Sequence, residues 1–138
     1  MEKRVGQTKN VGFQFGIRRT FPISTEMAWQ YLFSDKGLNT WLGKLTTEFE
    51  LKKEFQTKDG VIGFVRIFKP NSHIRLNWKR KEWENLSTVQ IRVIGNKNKV
   101  TISFHQEKLY DSIQRDEMKE YWNKIIDEIS KEIEETSK

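Results

Sequence analysis

The C-terminal stretch from about Ser112 to Glu135 carries a regular pattern of apolar and polar residues. Its apolar positions follow one another at helical steps and are Met118, Trp122, Ile125, Ile126, Ile129 and Ile133. This spacing places them on one face of an α-helix, with charged residues on the other face. Asp111 or Ser112 is in position to cap its start. About 23 residues span roughly 34 Å, so the apolar face needs cover from the rest of the chain.

Ahead of this helix, apolar and polar residues alternate with the period of two that is typical of β-strands. The predicted strands are Val11–Phe21, Thr47–Phe55, Val61–Phe68, His73–Trp78, Val89–Val93 and Val100–His105. The Asp59-Gly60 pair favours a hairpin between the second and third strands. Because short turns join the later strands, the sheet is predicted to be antiparallel. The strand at 61–68 is strongly apolar and interrupted only by Arg66, which predicts a central place in the sheet.

Two short helices are predicted between the first strand and the second. Ser24 or Thr25 caps the first helix, and residues 38–42 form the second, which Gly43 closes. Since sheets twist, about six antiparallel strands curl around the long helix. We therefore predict one α+β domain over residues 11–138, with two short helices after strand 1 and a loose segment over residues 1–10.

Composition narrows the class of protein. The chain has 138 residues, of which 36% are hydrophobic and 12% aromatic, with five Trp and nine Phe, so the core is expected to be rich in aromatic rings. The absence of cysteine excludes disulfides and thiolate sites. The first ten residues have no apolar core of a signal peptide, and no apolar run approaches the roughly 18 residues of a membrane span. These features predict a soluble, cytoplasmic protein without membrane insertion.

The charge is divided unevenly along the chain. Residues 111–138 carry 5 Lys/Arg and 9 Asp/Glu, a net charge of −4, whereas residues 1–110 carry 20 and 10, a net charge of +10. A basic body raises the question of nucleic acid, and the Lys79-Arg80-Lys81 run lies between Trp78 and Trp83. Nearby glutamates dilute this charge, so a charged hairpin tip is the favoured interpretation and nucleic acid is an unlikely partner.

The order of elements resembles the helix-grip fold of the START/SRPBCC superfamily, and within it the branch named after activators of a heat-shock chaperone ATPase. The resemblance covers roughly residues 11–134 and is carried by Phe21–Trp29, Asp35–Leu42, Arg75–Trp78, Val100–His105 and Tyr121-Trp122. The chain departs from the family after the last strand, where His105–Leu109 has no Gly. The ten polar residues at the start are too few for the separate chaperone-binding domain of the activator itself.

The resemblance implies a cavity between the sheet and the C-terminal helix. Members of the superfamily hold apolar molecules there, so the favoured function is a small-molecule binding module for an apolar or amphipathic ligand, without chemistry of its own. The candidate ligand-binding residues are Trp41, Phe64, Trp78, Phe104, Met118 and Trp122 as walls, and His105 as a polar anchor. Because aromatic residues at these periods also form ordinary cores, a filled core is the alternative for each of them.

Two further functions remain open at this point. The first is an enzyme of the cyclase or hydrolase kind that uses His105 in the same cavity. Catalytic motifs such as a nucleophile elbow or a P-loop are absent from the sequence, so no catalytic residue and no cofactor is assigned. Two histidines without cysteine make no metal-ligand spacing. The second is a stress-response domain that contacts a chaperone through its basic sheet surface. The sequence does not indicate the oligomeric state.

Overall fold

The computed structural model of the chain describes residues 7–8 and 12–136. The predicted order of elements is confirmed. The elements are β1 (Gln7–Thr8), β2 (Gly12–Phe21), α1 (Thr25–Leu32), α2 (Asp35–Trp41), β3 (Glu54–Gln56), β4 (Val61–Lys69), β5 (His73–Arg80), β6 (Ser87–Gly95), β7 (Val100–Leu109) and α3 (Ser112–Thr136). Val11 and most of the segment predicted to be loose lie outside the described residues.

One curved antiparallel sheet contains every strand, in the order β1-β2-β7-β6-β5-β4-β3. The fold is the predicted α+β helix grip, in which α3 packs against one face of the sheet. We call the face toward α3 the inner face and the opposite one the outer face. Register shifts between Phe13 and Phe15 in β2, and between Val65 and Ile67 in β4, add local bends. These bends help the sheet to curve around the helix.

The predicted apolar face of α3 is buried along its whole length. Met118, Trp122, Ile125, Ile126, Ile129 and Ile133 all belong to the core. Asp111 caps the helix, since its Oδ1 accepts a hydrogen bond of 2.8 Å from the backbone N–H of Gln114. Farther along, Nη1 of Arg19 on β2 donates to Asp127 Oδ1 at 2.8 Å and to Ser130 Oγ at 2.9 Å. This arginine joins the first long strand to the C-terminal half of α3.

Both short helices begin at a serine cap. The Oγ of Ser24 accepts from the N–H of Met27, and the Oγ of Ser34 accepts from the N–H of Gly37, each at 3.1 Å. The second helix begins at Asp35, three residues before the predicted start at residue 38, because Ser34 caps it. A Cβ at Gly37 would lie 1.9 Å from the carbonyl oxygen of Tyr31, so only glycine permits this close approach of α2 to α1.

Glu132 connects both short helices to α3. Its carboxylate accepts hydrogen bonds from the hydroxyl of Tyr31 at 2.6 Å and from the hydroxyl of Thr40 at 2.8 Å. Burial, and then the hydrogen bond to Glu132, raise the pKa of Tyr31 far above its usual value, so this phenol stays protonated. The sequence placed Glu132 on the solvent face of the helix. The structure shows it partly buried because α1 and α2 pack over that face.

Two strand predictions need correction. The strand predicted over Thr47–Phe55 is reduced to Glu54–Gln56, because Lys52 adopts a φ of 60° and the chain turns there. The strand at 61–68 is not central: β4 lies next to β3 at one edge of the sheet. Within the segment predicted to be loose, Gln7–Thr8 pairs with Gly12 and Phe13.

Candidate functional site

Five of the seven predicted ligand-binding residues meet in the core between the sheet and α3. Trp41, Trp78, Phe104, Met118 and Trp122 are each at most 1% exposed. The rings of Phe104 and Trp122 stack with their centroids 4.9 Å apart. Nε1 of Trp41 donates to the carbonyl oxygen of Leu32 at 2.7 Å. These side chains are buried in the space between sheet and helix, so an open cavity has to lie beside them.

The other two predicted residues lie on the outer face. Phe64 is not part of the core cluster, and its register partner Asn77 faces the same way. His105 alternates with the buried Phe104, and its Nε2 is 3.1 Å from Gln14 Oε1. The structure therefore does not bring Phe64 or His105 together with the five core aromatic and sulfur-containing residues.

An open cavity lies at one end of the space between the sheet and α3. We call it the end cavity. Its volume is about 260 Å³. The lining residues come from α2 and the loop after it, the β3–β4 hairpin, β4, β5 and α3: Asn39, Thr40, Leu42, Gly43, Asp59, Val61, Trp78, Arg80, Tyr121 and Ile125. Trp78 is thus the one residue shared by this lining and the predicted set. The walls combine apolar surface with a few polar groups, as small-molecule sites do.

Arg80 and Tyr121 line the end cavity but are absent from the predicted set. The sequence pattern around each of them nevertheless indicates its position. Arg80 continues the alternation of Ile74, Leu76 and Trp78 by one more step, which places it on the inner face of β5. Its charged neighbours Lys79 and Lys81 instead favour a charged hairpin tip. Tyr121 precedes Trp122 and so lies at the flank of the apolar face of α3, where a side chain borders the core without filling it.

Arg80 and Tyr121 interact with the wall of the end cavity. The guanidinium carbon of Arg80 is 5.8 Å from the ring centroid of Trp78 and 5.9 Å from that of Tyr121, which is cation–π range. The hydroxyl of Tyr121 donates to the carbonyl oxygen of Trp41 at 2.7 Å. Burial raises the pKa of Tyr121 to about 12; nearby Arg80 lowers it and Asp59 raises it further. The phenol is therefore a neutral hydrogen-bond donor near pH 7.

The pKa of Tyr121 predicts a pH-dependent difference between the parent protein and Tyr121→Phe. The folded state holds the phenolic proton more tightly than the unfolded chain, whose tyrosine has a pKa of 10.0. This contribution to stability is complete below about pH 10 and declines as the pH rises toward 12. Urea unfolding at about pH 9 and about pH 11 should show the parent losing more unfolding free energy than the variant, by at most about 1.4 kcal/mol per pH unit. Equal losses would show that Tyr121 is not buried as described.

Two further depressions adjoin this region. The first shares Arg80 and Tyr121 with the end cavity and forms its charged rim, with Glu82, Glu117, Glu120 and Lys124. The second, which we call the outer groove, has a volume of about 650 Å³ on the outer face of β3, β4 and β5. Its apolar surface includes Ile62, Phe64 and Leu86, of which Leu86 is 48% exposed. The outer groove is larger than the end cavity but lies outside the space between sheet and helix.

The basic run between two tryptophans is divided between the faces of the sheet. Nζ of Lys79 donates to the carbonyl oxygen of Trp83 at 2.6 Å and borders the outer groove, whereas Arg80 faces inward. Trp83 is buried, with its ring edge-on to Trp78 at 5.3 Å. Neither indole is available to stack on a nucleobase, so this run does not form the platform that binding of a single strand requires.

Within residues 7–8 and 12–136, no three or more His, Asp or Glu side chains are grouped as a metal ion would require. In the same part of the chain, no helix is long and apolar enough to cross a membrane.

The family of the chain follows from comparison with known proteins. The sequence profile of the family described as "Activator of Hsp90 ATPase homolog 1-like protein" matches residues 22–134. The chain belongs to this family. The match begins just after β2 and ends near the C-terminus of α3, so it includes every residue that lines the end cavity. A comparison with curated proteins found no significant match.

Several solved structures share the fold of this chain, although their sequence identity to it is low. CalU16 from Micromonospora echinospora is 14% identical with a TM-score of 0.78, covering 88% of this chain and 76% of CalU16. DynU16, from the dynemicin biosynthetic locus, is 13% identical with a TM-score of 0.76; the match covers 88% of this chain but only 47% of DynU16. An HSP90 activator from Plasmodium falciparum, PFC0360w, is 16% identical with a TM-score of 0.61, covering 71% of this chain and 74% of the activator. At these identities the likeness concerns the fold alone.

Proposed function

We propose that this protein is a small-molecule binding module whose ligand occupies the end cavity between the sheet and α3. The observation that carries the proposal is the cavity itself, an opening of about 260 Å³ bounded by Leu42, Val61, Trp78 and Ile125. A separate opening of about 410 Å³ lies between the end of β2 and the C-terminal part of α3, and none of its lining residues lines the end cavity. The proposal treats residues 11–138 as one domain that acts in the cytoplasm.

The size of the cavity limits the ligand. Sites for drug-sized molecules measure about 300–1,000 Å³, so 260 Å³ suits a small apolar or amphipathic molecule, or one part of a larger molecule. Trp41, Phe104, Met118 and Trp122 support this site from behind, because they fix the positions of α2, β7 and α3. We therefore assign them a structural role near the ligand rather than direct contact, and assign Trp78 direct contact.

The proposal predicts that intrinsic tryptophan fluorescence changes saturably with ligand. The titrated panel should contain fatty acids of several lengths, flavonoids and sterols, with the smaller molecules binding best. The cavity-filling variant is Ile125→Trp, since Ile125 lines the end cavity. We expect it to weaken binding about tenfold or more, because the added ring takes the space of the ligand.

Ile113→Trp is the matched control. It makes the same substitution on the same helix, but Ile113 is 67% exposed and does not line the cavity. Its affinity should equal that of the parent. Equal affinity in both variants would place the ligand elsewhere, and a panel without any saturable change would contradict the proposal.

A second candidate function is contact with a chaperone of the Hsp90 class. The family description and the HSP90 activator among the similar folds favour it. In this chain the outer groove, with the exposed Leu86 and the half-buried Phe64, offers a surface for such a contact. Leu86→Ser should abolish capture of purified Hsp90 if the groove is used and leave ligand binding unchanged. The catalytic alternative has less support, because His105 lies on the outer face beside Gln14.

A further inference from the structure

Two buried hydrogen-bond donors in the described part of the chain lack an acceptor. Among the described residues, Nε1 of Trp78 and Nε of Arg80 are the buried side-chain nitrogen or oxygen atoms without a hydrogen-bond partner. Both belong to residues that line the end cavity. Native proteins rarely leave a buried donor unpaired, because its lost hydration is not replaced. Two such donors at one cavity indicate that the missing acceptor belongs to a ligand bound there.

The neighbouring tryptophans show that the unpaired indole is exceptional. Nε1 of Trp41 donates to the carbonyl oxygen of Leu32, and Nε1 of Trp122 donates to Gln106 Oε1 at 2.8 Å. Trp78 is as deeply buried as these two residues, with an exposed fraction of 0%. The fold therefore supplies an acceptor to two of these buried indoles and leaves the third without one.

The two donors define the chemistry of the acceptor. An indole N–H donates only, and a guanidinium donates from every nitrogen and stays positively charged. Arg80 takes part in none of the ion pairs among the described residues. An acceptor that carries negative charge satisfies both groups and forms the stronger, charge-assisted hydrogen bond.

We infer that the end cavity recognises a carboxylate on its ligand, through the N–H groups of Trp78 and Arg80. The rest of the ligand then contacts the apolar walls at Val61, Leu42 and Ile125. The inference rests on the proposed function and adds the chemical class of the ligand: a small apolar carboxylic acid in its ionised form.

The charge of the rim favours a positively charged ligand rather than a carboxylate. Asp59 lines the cavity, and Glu82, Glu117 and Glu120 lie beside Arg80 in the rim, against a single further cation, Lys124. If these carboxylates controlled selection, a ligand with an ammonium group would bind better. The rim residues are exposed and screened by water, whereas the Trp78 and Arg80 donors are buried, so the donors should decide.

The test compares octanoate with octylammonium at neutral pH, since the two share a chain and differ in the head group. In a ¹H–¹⁵N spectrum of the labelled protein, the five tryptophans give five indole N–H signals. Trp78→Phe identifies the signal of Trp78 by its loss. We expect octanoate to bind about tenfold or more tightly than octylammonium and to move the Trp78 indole proton downfield. The indole signals of Trp41 and Trp122, which already donate hydrogen bonds, should move little.

Arg80→Met and Lys119→Met form the matched pair of variants, since Lys119 is exposed on α3 and lies outside both the end cavity and its rim. Each removes one cation, but only Arg80 lines the end cavity. Octanoate affinity should fall about tenfold in the first variant and stay unchanged in the second. Equal affinity for the two head groups, or tighter octylammonium binding, would overturn the carboxylate inference and leave the proposed function intact. If neither compound nor any member of the fluorescence panel binds the parent, both the inference and the proposed function fail.

Discussion

Replacing Trp122 by alanine should lower the free energy of unfolding by about 3–5 kcal/mol. Trp122 is 1% exposed and stacks on Phe104 at the centre of the interface between α3 and β7. Its Nε1 donates to Gln106 Oε1, and Nε2 of Gln106 donates to Ser87 Oγ at 2.9 Å. The substitution therefore leaves both a cavity and a buried amide oxygen without its donor, and the two effects add to the loss.

Two control variants separate these effects. Trp122→Phe keeps most of the ring and removes the hydrogen bond, so it should cost about 1–3 kcal/mol. Lys124→Ala changes an exposed residue of the same helix and should stay within about 0.5 kcal/mol of the parent. Urea unfolding followed by far-ultraviolet circular dichroism measures all three. If Trp122→Ala were as stable as Lys124→Ala, the result would contradict the burial of Trp122 between α3 and the sheet.

Replacing Gly63 by alanine should cost about 3 kcal/mol, the upper end of the usual range for overpacking. A Cβ at this position would lie 2.0 Å from the carbonyl oxygen of Asn77 on β5 and 2.5 Å from Cζ of Phe55 on β3. The first contact is with backbone, so β4 and β5 would have to separate. Phe55 is 1% exposed, so its ring has little room to move away.

Gly16→Ala is the control for this prediction because Gly16 also lies within a strand. Its nearest contact would be Cδ2 of His105 at 3.5 Å, an ordinary van der Waals distance. Since alanine loses less conformational entropy on folding, this variant should match the parent or be slightly more stable. Thermal unfolding of the two variants side by side gives the comparison. A similar loss at both positions would mean that the close packing at Gly63 is not responsible.

The elements with a strong single pattern were predictable from the sequence. The face of α3 was correct because six residues from Met118 to Ile133 repeat at helical spacing and no other period fits them. The strand at 61–68 shows where such patterns stop being informative. It is apolar on both faces, because Val61 and Val65 enter the core while Ile62 and Phe64 border the outer groove. The alternation of apolar and polar residues therefore does not determine which face of the sheet Phe64 lies on.

The end cavity could not be predicted because an opening depends on the volumes of its neighbours. Trp41 and Trp122 are buried in the interface, and the end cavity lies between α2, the β3–β4 hairpin and α3. No residue pattern records that opening. The inward position of Arg80 was predictable, since Arg80 follows Trp78 by two residues in β5 and so lies on the same face. The charged run Lys79-Arg80-Lys81 instead favours a charged connection outside the strand.

A map of backbone amide shifts shows whether a small molecule binds between the sheet and α3. The measurement is a series of ¹H–¹⁵N spectra of the labelled protein during titration with octanoate. We expect the shifts to cluster around the end cavity, at residues 39–43, 59–61, 78–80 and 121–125. Shifts confined to residues 54–56, 62–64 and 84–86 would place binding in the outer groove and contradict binding between the sheet and α3.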